Sequence, residues 1–300
     1  WPVALTSAVL HWALLPAFPL LALMLGMKRR IPSVLLALCA ASYFWYFGEL
    51  FLPNEVFGAE SHGEHQEQQE LTVMTFNLGY HRAPPQRVVR AIRESDADLV
   101  ALEEVSRVQE EAIESALAEL FPHRVFHGPR ARRKGLLSRH PIVSHEAIVD
   151  PELGLHALRG QVDHRPSGQK LTIFVVHPPR PALNRREGYR IHPLANPQIE
   201  ELGRRAEAVD GPVIVMGDFN MTDQSDAYLH MLRSGLTDAF REAGFGYGTT
   251  WPTRHYLVPM SHLVRIDYIW HSSHFRAQES WVGSDYGSDH LPVLSRLELN

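Results

Sequence analysis

The chain has 300 residues, 45% of them hydrophobic, an ordinary proportion for a folded protein and enough for one large domain with something small attached. Its 29 Lys and Arg against 34 Asp and Glu leave a net charge of −5, which argues against a protein that holds long nucleic acid by neutralising phosphates. The single Cys39 excludes an intrachain disulfide and any cysteine-based metal cage.

The apolar residues are unevenly spread. Residues 3–27 contain no Lys, Arg, Asp or Glu; after Lys28, Arg29 and Arg30 a second uncharged run covers 31–48 and continues to Leu52 past Glu49. A helix rising ~1.5 Å per residue needs ~20 residues to cross ~30 Å of hydrocarbon, and both runs reach that length. A two-helix transmembrane hairpin is therefore expected over 1–53, with spans at 3–27 and 31–52. Pro16, Pro19 and His11 weaken the first span, whereas Trp12, Tyr43, Trp45 and Tyr46 suit the membrane interface. The competing reading is a helical hairpin buried in a soluble protein, but neither run makes a polar face. The basic loop at 28–30 should stay on the cytoplasmic side, which sends everything after Pro53 to the other. Of the 29 basic and 34 acidic residues, 26 and 33 lie after Pro53, so the soluble part stands at −7. The chain opens on Trp1 rather than Met, which leaves an upstream segment open.

Residues 54–70 (NEVFGAESHGEHQEQQE) are polar and acidic, a juxtamembrane linker with little to bury. From Leu71 onward short apolar strands alternate with amphipathic helices. Strands are predicted at 71–77 (LTVMTFN) and 97–105 (ADLVALEEV), with a helix between them at 84–95 that starts on proline. Helical sequence follows to Leu120, then strands at 135–149, 156–163 and 170–177, a helix at 197–209 and a strand at 212–216. The end of the chain adds strands at 265–272, 274–282 and 291–299, so 71–300 reads as a layered α/β domain.

Several of these strands end in the same way, with an apolar run followed by one or two residues that bind metal or phosphate. VMTFN ends in Asn77, LVALEEV carries Glu104, LTIFVVH ends in His177, IVMGDFN supplies Asp218 and Asn220, RIDYIW embeds Asp267, and GSDH contributes Asp289 and His290. Each has an ordinary alternative. Gly, Asp and Asn are common punctuation after a strand, Asp267 could pair with Arg265, and Glu104 could cap a following helix. If the strand ends share one rim, carboxylates with amide support would suit Mg²⁺ or Mn²⁺ rather than zinc, as phosphoryl transfer requires.

In order along the chain, TFNLGY around Asn77, LEEV around Glu104, GLLSRHPI at 135–142, VVHPP around His177, GDFN at 217–220, RIDYIW around Asp267 and SDH at 288–290 resemble the endonuclease/exonuclease/phosphatase superfamily. HPP, TTWP at 249–252 and the two spans further resemble a membrane-anchored bacterial branch of it. The resemblance implies a four-layer α/β sandwich, two packed mixed sheets flanked by helices, that hydrolyses phosphoesters with Mg²⁺ or Mn²⁺. It implies metal ligation by Glu104 with Asn77 and Asp289, and a His290–Asp267 pair that holds the phosphate or assists the leaving group. It makes Asp218 the base acting on water, with Asn220 and His177 donating to phosphoryl oxygens. LEEV departs from the common Gln-Glu pattern, so Glu103 either adds a charge to the site or points into solvent. In a bacterium the topology places the catalytic domain on the periplasmic or extracellular side of the inner membrane, as part of a multi-pass protein.

The Arg- and Pro-rich stretch at 178–197 is the candidate for substrate choice, with Arg180, Arg185 and Arg186 as phosphate contacts, or a connector with no such role. Arg132, Arg133 and Lys134 form either a solvated loop or an anion clamp. His192 and the other scattered histidines have no spacing partner that makes a site. The substrate class stays open among nucleic acid, a phospholipid head group and a small phosphodiester. A catalytically inactive tethered binding module of the same fold is the alternative function.

Overall fold

The computed structural model describes residues 10–52, 70–129, 132–184, 188–253 and 262–300. Fourteen strands are formed among them: β1 (Glu70–Tyr80), β2 (Leu99–Val105), β3 (His123–His127), β4 (Lys134–Ser138), β5 (Ile142–Asp150), β6 (Leu155–His164), β7 (Gln169–Val176), β8 (Ala182–Asn184), β9 (Gly188–Arg190), β10 (Val213–Asp218), β11 (Thr237–Asp238), β12 (Asp267–His271), β13 (Phe275–Val282) and β14 (Val293–Leu299). They build one sheet in the order β13-β14-β1-β2-β4-β3, a second in the order β11-β12-β10-β7-β6-β5, and a small hairpin of β8 and β9. Both six-stranded sheets are mixed. Each has one parallel pair, β1 with β2 and β10 with β7, inside otherwise antiparallel neighbours.

Strand alternation explains the layers. Along β1, Leu71 and Val73 face the space between the sheets, while Met74 and Phe76 face helices; along β10, Ile214 and Met216 point inward while Val213 and Val215 point outward. Leu99 and Ala101 of β2, Ile173 and Val175 of β7, and Ile269 of β12 belong to the same inner core. A fully buried strand therefore reads as a continuous apolar run while serving two different cores.

In chain order, eight helices occur among the described residues, beginning with α1 (Leu10–Leu14), α2 (Ala17–Gly26) and α3 (Arg30–Phe47) in the apolar N-terminal segment. The first sheet is covered by α4 (Pro85–Glu94), which begins on proline, and α5 (Arg107–Ala116), whose Ser106 and Gln109 form a capping box. The second is covered by α6 (Ala195–Glu207) and α7 (Asp226–Arg233), and a short α8 (Ala239–Ala243) follows β11. The result is the four-layer α/β sandwich.

The single strand expected at 135–149 is two strands in different sheets. Pro141 and a tight turn, in which Ser138 Oγ donates to His140 O and accepts from His140 N, break the run and carry the chain across from β4 to β5.

The expected span at 3–27 also differs. Its described part is broken at Leu15 and Pro16 into α1 and α2, because proline has no N–H for the ladder. Among the described residues only 30–51, which is α3 with the turn Gly48–Phe51, is long and apolar enough to cross a membrane; Leu10–Gly26 is shorter. α2 turns back along α3, and Leu23, Ile31, Leu35, Leu38, Phe44 and Trp45 stand exposed, the last at 84%. The start of the segment instead docks on the α/β domain. Trp12 Nε1 donates to Leu263 O at 2.8 Å, and Tyr43, Phe47 and Leu50 cluster with Tyr247. Apart from Glu70, which opens β1, the linker at 54–70 lies outside the described residues.

Candidate active site

The alternation that fills the inner core also builds the site. Continuing the inner face of β1 past Val73 and Thr75 leads to Asn77; on β7 it leads past Ile173 and Val175 to His177; on β10, past Ile214 and Met216 to Asp218; on β12, back from Ile269 to Asp267. Because β10 runs parallel to β7 and antiparallel to β12, these residues meet at one end of the inter-sheet space. Asn77, Asp218, Asp267 and His290 are 1%, 1%, 0% and 5% exposed.

Gly217 permits the closest of these approaches. It pairs with Val176, its φ is +152°, and a Cβ added there would lie 2.0 Å from the Val176 carbonyl oxygen. No other residue lets β10 run this close to β7, which is what brings Asp218 beside His177.

Asp218 is the hub. Its Oδ2 accepts from Asn77 Nδ2 at 2.9 Å and Asn220 Nδ2 at 3.2 Å, its Oδ1 accepts from the Asn220 N–H, and His177 Nε2 lies 3.5 Å from Oδ2. Burial, together with the nearby Asp267 charge and against the pull of His290, raises its carboxyl to about 7. His290 Nδ1 faces both Asp267 oxygens at 3.1 and 3.0 Å, and its Nε2 is 3.7 Å from Asp218 Oδ2. Burial alone would depress this imidazole, but the carboxylates of Asp267 and Asp218 outweigh it and push it up to about 10. Asp267 also accepts from Thr250 Oγ1. His177 is held neutral, down to about 3, by burial and by the positive charges of Lys134, His290, Arg180 and Arg132.

Asp218, Asp267 and His290 could place one ligand atom each within 4.8 Å of one another. His290 turns Nδ1 to Asp267 and Nε2 toward Asp218, so both ring nitrogens face carboxylates and this trio is better suited to moving protons and gripping anions. The donors that suit a hard cation lie at the mouth. Glu104 and Asp289 are partly exposed, at 27% and 26% of their side chains, and Asp289 is near enough to act on the Glu104 charge. Among the described residues, Asn77 Oδ1 accepts only the Gly79 N–H. Gly79 has a φ of +62°, and a Cβ there would meet Asp289 Oδ1 at 2.7 Å, so a side chain at this position would fill the cradle. Hard oxygens with room around them fit a divalent cation of the Mg²⁺ type.

All eight predicted metal and catalytic residues thus converge. Arg180 is exposed and lines the adjoining cleft; Arg185 and Arg186 lie outside the described residues. Asn220 differs from expectation, since its amide donates to Pro178 O at 3.1 Å and to Asp218, which makes it a support for the carboxylate rather than a free donor. Glu103 differs more. It neither adds a charge at the mouth nor reaches solvent: alternation with Leu99 and Ala101 places it between the sheets at 0% exposure, accepting from Thr75 Oγ1 at 3.2 Å. Burial first, then Asp267 and Asp218, raises its carboxyl well above the usual range. Sequence reasoning misses Thr250 and His156 as site residues: TTWP carries the only signal for Thr250, and nothing marks His156, whereas Lys134 belongs to the basic triplet read as a solvated loop or an anion clamp.

Residues 74–290 match the Endonuclease/Exonuclease/phosphatase family. The chain belongs to that family. Members of the family are phosphoester hydrolases, and they depend on a divalent metal. The solved endonuclease/exonuclease/phosphatase from Beutenbergia cavernae is similar at 22% identity and a TM-score of 0.64, over 77% of this chain and 72% of that one. The family member from Bacteroides vulgatus is similar at 19% identity and 0.63, over 77% and 99%. D. rerio TDP2, solved with a single-strand DNA product, is similar at 19% identity and 0.62, over 76% and 99%. At these identities the family fold is what is shared. No curated protein matches the sequence.

Proposed function

We propose that this protein is a membrane-attached phosphodiesterase dependent on Mg²⁺ or Mn²⁺, with its catalytic domain on the periplasmic or extracellular side of a bacterial inner membrane. The observation that carries the hydrolytic reading is the arrangement of Asp218 between a neutral His177 and a charged His290, beside two partly exposed carboxylates, Glu104 at 3.6 Å from His177 Nε2 and Asp289 at 3.4 Å from Arg82 Nε. Asp218, with a carboxyl near neutrality, takes a proton from the attacking water. In-line displacement requires the leaving oxygen on the far side of phosphorus from that water. His290 Nε2 is only 3.7 Å from Asp218, on the water's side, so it grips a non-bridging phosphoryl oxygen rather than the leaving group. His177 donates to a second such oxygen. A divalent cation held by Glu104, Asp289 and the Asn77 amide oxygen would supply neutralisation of the phosphoryl charge.

The exposed apolar faces of α2 and α3 support membrane attachment, and the basic loop at 28–30 supports a cytoplasmic turn. The substrate is a phosphodiester of a nucleic acid, a phospholipid head group or a small molecule; the single-strand DNA product complexed with D. rerio TDP2 favours keeping nucleic acid among them.

The test is hydrolysis of bis(4-nitrophenyl) phosphate, plasmid DNA and sphingomyelin with Mg²⁺ or Mn²⁺, by wild type and Asp218→Ala. The variant should lose ~10²- to 10⁴-fold. EDTA should abolish activity and either cation restore it. Failure to hydrolyse all three, with EDTA making no difference, would favour the inactive binding module. A reporter fused after Asn300 should be active only outside the cytoplasm.

A further inference from the structure

The basic triplet at 132–134 does not act as one unit. Arg133 turns away from the site, its Nε and Nη2 each 2.6 Å from a Glu110 carboxylate oxygen. Arg132 and Lys134 instead line a cleft of about 1010 Å³ that opens beside His177 and Glu104. Arg180, His156, His192 and Trp251 line it as well, and Glu104 is the sole carboxylate among its described lining residues.

Three features call for an anion there. Lys134 is 3% exposed, and the one acceptor its ammonium meets among the described residues is the Arg132 carbonyl at 3.2 Å. An ammonium has three donors, and a desolvated one is costly until it is paired. Neither Arg132, Lys134 nor Arg180 forms an ion pair among the described residues, unlike Arg133. His156 is set against the same charges: burial, then Arg132 and Lys134, hold its ring below the usual imidazole range. The cleft's volume is at the upper end of the ~300–1,000 Å³ that accommodates a whole small ligand, far beyond the needs of one phosphoryl group.

We propose that this cleft is a subsite for a second phosphate on the substrate, gripped by Arg132, Lys134 and His156 while the scissile phosphate sits at His177 and Glu104. The substrate class is then a compact phosphodiester whose sugar or polyol ring, lying along Trp251, carries a further phosphate. This rests on reading the site as a phosphoesterase, and it selects among that reading's substrates.

The experiment is calorimetric titration of the full chain in detergent with Mg²⁺, using two ligand pairs that differ by one phosphate. One pair is thymidine 5′-monophosphate and thymidine 3′,5′-bisphosphate; the other is inositol 1-phosphate and inositol 1,4-bisphosphate. A hydrogen bond between charged groups contributes on the order of tenfold, so in at least one pair the bisphosphate should bind about tenfold tighter or more. The pair with the larger ratio identifies the ring as nucleotide or polyol. Arg132→Ala and His156→Gln, at sites with room to lose a side chain, should collapse that ratio to about twofold or less, whereas Arg133→Ala should keep it. A wild-type ratio near one in both pairs, or a ratio indifferent to Arg132→Ala and His156→Gln, overturns the subsite. Binding needs no turnover, so a failure of the phosphoesterase reading would be seen separately, as absent hydrolysis of bis(4-nitrophenyl) phosphate.

Discussion

Gly217→Ala tests how the site is held together. The added Cβ would stand 2.0 Å from Val176 O and 2.9 Å from Val176 C, where ordinary contact begins at 3.4 Å. Both contacts are backbone, so no side chain can swing aside, and β10 has to move from β7 by on the order of 1 Å. Overpacking of this kind costs ~1–3 kcal/mol, and a φ of +152° adds to it for alanine. In a domain of this size each kcal/mol lowers Tm by ~2–4 °C, so a fall of ~2–12 °C is expected. Asp218 follows directly and His177 continues β7, so the displacement falls between the base and its neighbour. Misplacement by ~1 Å costs ~10²-fold in rate. The assay is kcat/KM on bis(4-nitrophenyl) phosphate beside a thermal melt. Activity within about threefold of wild type, at an unchanged Tm, would refute the claim that Gly217 sets the spacing.

Three further outcomes follow from the same geometry. Activity should rise with pH as Asp218 ionises near 7 and fall as His290 loses its proton near 10; because Asp267 raises both, Asp267→Asn should move both limbs to lower pH, and a stationary alkaline limb would contradict the pairing. Glu103 binds its proton more tightly folded than unfolded, so it contributes stability present below the ordinary carboxyl range and lost as pH rises through its raised folded value. Glu103→Gln cannot ionise, so its Tm advantage over wild type should grow from acid to alkaline pH; a gap constant with pH would show that the carboxyl is not buried as described. Arg265, 4% exposed, donates from Nη1 to Asp238 Oδ1 at 2.9 Å with Nη2 2.7 Å from Oδ2, so Arg265→Met strands a buried carboxylate and should cost ~3–5 kcal/mol, read as a lower denaturation midpoint.

Much of the site was legible because its residues obey strand periodicity. Asn77, His177, Asp218 and Asp267 each continue the inner face of an apolar strand, a pattern visible in one dimension. The same rule, applied to Leu99, Ala101 and Glu103, already places Glu103 inside; the resemblance drew attention to its neighbour instead. The run at 135–149 misled because both of its halves are apolar strands, and only the turn at 138–141 separates their sheets. In the N-terminal run Pro16 and Pro19 both stand out, but hydropathy averages over a window and does not show which of them interrupts the helix: the break falls at Leu15 and Pro16, whereas Pro19 lies inside α2.

The sequence by itself determined most of the long strands, the inward faces that carry Asn77, His177, Asp218 and Asp267, and the order of the family motifs, because each depends on residues that are neighbours in the chain. Tertiary structure alone decided which charges meet: that Arg133 leaves the cleft while Lys134 enters it, that His290 bridges two buried carboxylates, and that Thr250 supports Asp267. Those partners lie far apart in sequence, and desolvation, which sets their protonation, is a property of the packed interior rather than of any local stretch.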